Sequence, residues 1–212
     1  MPLKLIVMGP QASGKGTQGK ILAEKFNIPR ISTGDIFRKE IKDKTELGKL
    51  VDEYLRSGVL VPDHITSSIA KKRISEMDCK KGFIFDGYPR DLNQALFLDS
   101  VATIDKVILI NISNDEAVKR ISNRRVCLEC GTSFNLISNP PKKKNICDKC
   151  SGKIVLRNDD NPKAIARRLA IYRKESKPML KFYDKKNILI KINGMYSIEE
   201  IQKNILKKLN IK

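Results

Sequence analysis

The chain has 212 residues, enough for one sizeable domain with a hydrophobic interior, and its 42 Lys and Arg against 24 Asp and Glu leave a formal charge of +18. That balance suits anionic ligands without separating nucleotides from nucleic acid or acidic membrane surfaces, and the lysines are scattered as on a solvated surface. No apolar run approaches membrane-spanning length or forms a secretory signal, so a soluble, cytoplasmic protein with no membrane partner is expected.

Leu3–Met8 is a short apolar run of the kind that forms a buried strand. Gly9-Pro10-Gln11-Ala12-Ser13-Gly14-Lys15-Gly16-Thr17 follows, and apolar residues then recur at helical spacing over Gly14–Phe26. Strand, glycine-rich turn and helix together make a phosphate loop. Glycines let successive backbone N–H groups point inward, and the helix N-terminus adds partial positive charge. Lys15 supplies a full charge toward the outer phosphates, and Thr17 a hydroxyl near the metal.

Residues from about 32 to 61 carry two short helical patterns with no strand between them. A helix is expected over Asp63–Met77, a strand over Phe83–Asp86, a helix over Leu92–Leu98, a strand over Lys106–Asn111 and a helix over Asp115–Arg125. The rhythm then breaks from about Val126 to Asp160, where four cysteines, Pro140-Pro141 and β-favouring residues such as Thr132-Ser133-Phe134 occur. Pro162–Tyr183 reads as a helix and Ile188–Ile192 as a strand. Ser197–Leu209 reads as a helix opened by the capping box Ser197-x-x-Glu200. Nearly continuous apolar strands alternating with helices predict an α/β fold with a parallel sheet covered on both sides. The two irregular segments project from the strand ends, where ligands bind in such sheets.

Cys127-x-x-Cys130 and Cys147-x-x-Cys150 are separated by sixteen residues. Four thiolates at this spacing make a closed tetrahedral site for structural zinc; disulfides and iron are the competing readings, and a cytosolic setting disfavours the first. Gly131 and Gly152 stand where a knuckle turn needs positive φ. The fifth cysteine, Cys79, has no assigned role.

Four segments now coincide with one family. The loop Gly9–Thr17 with Gln18, the run Ile31-Ser32-Thr33-Gly34-Asp35, the run Phe83-Ile84-Phe85-Asp86-Gly87-Tyr88-Pro89-Arg90 with Gln94, and the four-cysteine insertion resemble adenylate kinase with a zinc-bearing lid. The likeness covers nearly the whole chain in the right order. It implies a P-loop core from residues 1–31, 62–125 and 161–212, a monophosphate-binding insertion at 32–61 and a zinc-binding lid at 126–160. It also implies reversible, magnesium-dependent transfer between ATP and AMP to give two ADP, by a monomer.

By the same resemblance, Gly9, Gly14, Lys15, Gly16 and Thr17 hold the ATP phosphates, Ser133, Phe134 and Tyr196 flank its adenine, and Arg120 and Arg124 bind ATP where the arginines converge on the transferred phosphoryl. Thr33, Arg38, Gln94 and the backbone of Val59-Leu60-Val61 hold AMP, with Gly87, Tyr88, Pro89 and Arg90 on its phosphate side. Arg90, Arg124, Arg157 and Arg168 converge with Lys15 on the transferred phosphoryl. Asp86 steadies hydrated magnesium, and Asp35, Asp159 and Asp160 contribute around the closed site. The chain departs from the family pattern at Gln11 and Ala12, where Pro and Gly are usual. If position 12 needs a left-handed backbone, Ala costs about 1–2 kcal/mol there.

The chemistry explains the residue types. Two anionic substrates must be aligned with water excluded and their charge neutralised, and arginine is always charged and binds phosphate oxygens bidentately. Arg56, Arg73 and Arg167 are expected as solvated charges, and His64 as an exposed residue at a helix start. Two rivals remain. A UMP/CMP kinase is disfavoured by Thr33 and Gln94. An RNA-associated P-loop protein draws on the charge and on Lys142-Lys143-Lys144, but aromatics are only 6% and Trp is absent.

Overall fold

The computed structural model describes residues 2–157 and 159–210. In chain order it contains β1 (Leu3–Met8), α1 (Lys15–Phe26), β2 (Arg30–Ser32), α2 (Thr33–Lys42), α3 (Glu46–Ser57), α4 (Asp63–Ile74), a 3₁₀ turn (Met77–Lys81), β3 (Gly82–Asp86), α5 (Leu92–Val101), β4 (Lys106–Asn111), α6 (Asn114–Ser122), β5 (Arg124–Cys127), β6 (Ser133–Asn135), β7 (Ile154–Val155), α7 (Pro162–Lys185), β8 (Leu189–Asn193) and α8 (Ile198–Lys208). Five strands form a parallel sheet in the order β2-β3-β1-β4-β8, and three short ones an antiparallel sheet in the order β6-β5-β7. Among the described residues no helix is long and apolar enough to cross a membrane.

The parallel sheet is buried on both faces, which explains why its strands read as continuous apolar runs. Ile6, Met8, Phe85, Val107 and Leu109 face one core with Tyr88, Leu98, Met179 and Tyr183. Their neighbours Leu5, Val7, Ile84, Ile108 and Ile110 face the other, with Leu22, Ile201 and Ile205 from α1 and α8. This period-two division clamps the sheet rigidly, so the C-terminal ends of β1, β2 and β3 form a firm base for a site.

The insertions add little to those cores: Ile36 of α2 packs against the first, and each insertion has a cluster of its own. The hairpin of α2 and α3 has its own cluster around Phe37, Val51 and Val61, supported by Ile65 and Ile69 of α4. The small sheet has only Cys127, Phe134, Cys147 and Ile154 buried together. Half of that cluster is thiol, too little apolar surface to hold a flap by itself.

Several boundaries differ from the sequence expectation. β2 is absent from it, because three residues are too short to show alternation. The expected helix Asp115–Arg125 ends at Ser122, capped by Asn123, and Arg124 and Arg125 begin β5 instead, where they pair with Asn135 and Phe134. The helix expected over Asp63–Met77 likewise stops at Ile74, capped by Ser75, and after an extended Glu76 the 3₁₀ turn begins at Met77. Arg73 is not a solvated charge: its guanidinium grips Asp78 at 2.7 and 2.8 Å and lies 2.9 Å from the buried Cys79 Sγ. Arg56 and Arg167 are exposed as expected, and so is His64.

The phosphate loop holds an unfavourable backbone geometry. Ala12 has φ 59, in the left-handed region, which costs an L-residue about 1–2 kcal/mol. Its methyl group packs against the cluster of Ile112, Ala117 and Ile121, which returns up to about 0.8 kcal/mol. Glycine at this position escapes the strain but loses that contact and adds about 0.4–1 kcal/mol of unfolded-state entropy. The contributions nearly cancel. Ala12→Gly should therefore change stability in urea denaturation by no more than about 1 kcal/mol, whereas the β-branched Ala12→Val should lower it by about 1–3 kcal/mol.

Candidate active site

A cleft of about 870 Å³ opens at the C-terminal ends of β1, β2 and β3, walled by the phosphate loop, the α2–α3 hairpin and the small sheet. The nucleotide-site residues expected from sequence line it, with Tyr88 the exception. Tyr88 is fully buried, with its ring against Phe85 and its hydroxyl 3.1 Å from that of Ser67. It anchors the turn that presents Gly87, Pro89 and Arg90 and does not line the cleft.

On the donor side, Gly9 follows β1 so closely that an added Cβ would lie 2.2 Å from the Ile110 carbonyl oxygen. Only glycine allows this approach. Helices α2, α3, α5, α6, α7 and α8 each begin with a Ser, Thr, Asp or Asn side chain accepting a backbone N–H. Helix α1 has no such cap and no acid in its first turn; Gly14 precedes it. Its free N–H groups and dipole therefore face the cleft, ready for an anion. Lys15 lies there too, its Nζ donating to the Pro10 carbonyl at 3.1 Å. Burial pushes its ammonium down from the usual 10.5 to about 8; Asp86 opposes this, while Arg124, Arg90 and Arg157 add to it.

On the opposite side, Thr33 and Arg38 come from α2, and Val59, Leu60 and Val61 from the segment after α3. Gln94, buried on α5, accepts from the Arg90 backbone N–H at 3.0 Å and donates to Asp63 Oδ1 at 2.7 Å. Its amide is thereby fixed, and Asp63 is a positioning partner that a sequence motif does not reveal. Arg90 donates through Nε to the Gly87 carbonyl at 2.8 Å. Burial pushes its guanidinium down to about 10, helped by Arg168, Arg38 and Arg157 and opposed by Asp86.

Between the two sides lies a network of arginines on two buried carboxylates. Asp159 accepts from Arg157 Nε at 3.0 Å and from Arg168 at 2.8 Å, with Arg38 3.7 Å away. Asp160 accepts from Arg124 Nε at 2.8 Å. Burial alone would raise the Asp159 carboxyl, but the hydrogen bond and charge of Arg157, with Arg168 and Arg38, hold it well below the usual range. These carboxylates orient the guanidinium groups without neutralising all of them. At the outer rim, Arg120 pairs with Glu116 at 2.6 Å, Phe134 is buried, and Ser133 and Tyr196 are exposed.

The strand-end carboxylate, Asp86, lies against the start of α1: a Cβ added to Gly16 would sit 3.2 Å from its Oδ2. A carboxylate and the Thr17 hydroxyl beside a phosphate loop form an oxygen donor set suited to magnesium, which completes its shell with water and phosphate oxygens. Arg30, which the motifs do not mark, forms ion pairs with both Asp86 and Asp35. In the small sheet, the Sγ atoms of Cys127, Cys130, Cys147 and Cys150 all lie within 4.8 Å of one another. The Cys127–Cys150 and Cys130–Cys147 separations are 3.4 and 3.6 Å. Both are far beyond a disulfide bond and near the edge of about 3.8 Å that tetrahedral Zn–S bonds of about 2.3 Å define. Hydrogen bonding to the Thr132 side chain and backbone pushes the Cys130 thiol down to about 6. The glycines around it differ from expectation: Gly131 has φ 67, but Ser151 takes the second left-handed position. Gly152 is instead required for space, since a Cβ there would lie 3.0 Å from Cys127 Sγ.

Comparison with known proteins matches residues 7–188 to the family model described as adenylate kinase. Among curated proteins, the adenylate kinase of Caldanaerobacter subterraneus subsp. tengcongensis is 44% identical, over 98% of this chain and 96% of its own length. That of Acetivibrio thermocellus is 42% identical over 98% of each chain. That of Staphylococcus aureus strain N315 is 46% identical over 98% of this chain and 99% of its own. With the match extending over most of the chain and the cationic cleft in place, the chain belongs to the adenylate kinase family.

Proposed function

We propose that the chain catalyses reversible, magnesium-dependent phosphoryl transfer between ATP and AMP to give two ADP. One observation carries this reading: Lys15, Arg90, Arg124, Arg157 and Arg168, from five different places in the chain, line one cleft. A loop that held only one nucleotide would have no use for the second group of cations facing it.

In this reading the free N–H groups of α1 and Lys15 bind the donor phosphates, with Arg120 and Arg124 beside them. Thr33, Gln94 and the Val59–Val61 backbone select AMP, and Arg38 and Arg90 hold its phosphate. Arg157 and Arg168 neutralise the equatorial oxygens of the group in transit. No general base is needed, because the attacking AMP phosphate is ionised at neutral pH. Asp86 and Thr17 would hold the magnesium, which neutralises donor phosphate charge when bound. One chain lines the whole cleft, which supports a monomer, and the free thiols suit the reducing cytoplasm.

Residues 32–61 act as the acceptor-side cover and residues 126–160 as the lid, with the rest of the chain as core. The two covers meet where Lys42 donates to the Leu128 carbonyl at 3.3 Å, and Arg168 of the core donates to the Leu55 carbonyl of the first cover at 3.0 Å. Closure excludes water, which would otherwise accept the phosphoryl group. The lid is stapled by zinc on the four cysteines, since its four-residue cluster is too small to hold it.

A coupled assay with ATP, magnesium and each monophosphate, together with ADP disproportionation, tests the whole reading; preference for UMP or CMP, or no turnover, rejects it. Lys15→Met should lower kcat by about 10²–10³-fold without lowering the melting temperature of the free protein, because a buried ammonium is removed. Lys15 binds its proton more weakly folded than unfolded. It should therefore contribute rising stability from about pH 8 to 10.5, while kcat/KM for ATP falls above about pH 8. Arg38→Ala should chiefly raise the AMP concentration required, read as KM against kcat. Zinc chelation should remove hydrogen-exchange protection from residues 126–160 before the core melts; unchanged protection would exclude the staple.

A further inference from the structure

Phosphate binding and AMP selection leave Arg30 without a role, although it lies on the cleft wall. Its Nη1 is paired with Asp86 and its Nη2 with Asp35, and the other oxygen of Asp35 is paired with Arg38. This chain of charges runs from the carboxylate beside the phosphate loop to the guanidinium on the acceptor side. The side chains of Asp86 and Arg30 are 8% and 16% exposed, so water and salt screen their attraction little. Three elements are shaped around the pair. A Cβ on Gly19 of α1 would meet Arg30 Cδ at 3.3 Å and Asp86 Cβ at 3.9 Å, so a small residue there makes room for the arginine stem. Parallel pairing of β2 with β3 sets Arg30 opposite Ile84 and Ser32 opposite Asp86.

Resting on the adenylate kinase reading, we propose that Arg30 is a positioning residue that competes with the donor's magnesium for Asp86 and, through Asp35, couples that carboxylate to the freedom of Arg38. A guanidinium and a hydrated dication cannot both take full advantage of one carboxylate. As metal-bound donor claims Asp86, Arg30 shifts its charge onto Asp35. Asp35 then restrains Arg38 less, leaving it freer to meet an acceptor phosphate. Loading the donor side thereby prepares the acceptor side, and linkage requires the reverse effect as well.

The test is an equilibrium titration of magnesium chloride into the full chain with a non-hydrolysable β,γ-imido ATP analogue, read by calorimetry. Arg30→Gln removes the competitor and should lower the magnesium midpoint by about fivefold or more. Asp35→Asn leaves Arg30 to Asp86 alone and should raise it. Midpoints that do not move, or that move in the same direction, overturn the proposal. Should Arg30→Gln fail to fold, Asp35→Asn decides by itself. Because the titration involves no turnover, its failure is distinct from a failure of the unaltered chain to disproportionate ADP, which would reject the enzymatic reading.

Discussion

Cationic side chains crowded into a partly desolvated cleft are the constraint around which this molecule is arranged. Lys15 and Arg90 are both pushed down by burial and by neighbouring guanidinium groups, an environment that favours the approach of an anion. Left alone, such groups would turn outward to water. Asp159 and Asp160 prevent this by holding Arg157, Arg168 and Arg124 in place. Each carboxylate serves more than one guanidinium, so orientation is secured while positive charge remains in excess. In the proposed reaction polyphosphate supplies the missing negative charge, and Arg157, Arg168 and Arg124 are already oriented to meet it.

That arrangement needs a base that does not yield and a cover that does. The base is the parallel sheet, whose strands divide their side chains between two apolar cores. The ends of β1 and β3, which carry the phosphate loop and Asp86, are therefore held from both sides. The covers are built more lightly. The α2–α3 hairpin relies on a small cluster of its own, and the lid on one that is half cysteine. A segment with so little apolar burial opens at low free-energy cost, which suits the cover proposed for residues 126–160. Four thiols gathered at metal-binding separations would, with the zinc proposed for them, stiffen this segment internally without attaching it to the core.

Sequence made the local features legible and left the long-range ones dark. The apolar runs of β1 and β4 and the capping box of α8 appear where their residues predict, because each depends on neighbours a few positions apart. The phosphate loop is readable for the same reason. Asp115–Arg125 reads as one helix because the periodicity of α6 does not announce its end at Ser122; pairing of Arg124 with Asn135 decides the matter. Tyr88 belongs to a motif that borders the site, yet its ring points into the core. Asp63 and Arg30 act through partners 31 and 56 positions away, and no spacing rule reaches that far. Gly152 reads from sequence as a turn glycine, and only its packing against Glu129 and Cys127 reveals that space is what it provides.

The formal charge of +18 is a poor guide to the site, and the distinction is physical. Most of that charge stands on exposed lysines, where interactions beyond a Debye length of about 8 Å are lost at physiological salt. Such a field raises encounter rates with any polyanion and selects none. The groups proposed to select are few, and they are fixed at particular angles by carbonyls and carboxylates. Arg90 is held by Gly87, and Arg124 by Asp160. A flexible nucleic acid could satisfy the exposed lysines, but a cleft of about 870 Å³ walled by the phosphate loop, the α2–α3 hairpin and the small sheet suits the small nucleotides proposed for it. Geometry, and not the amount of charge, separates a kinase from a binder of polyanions.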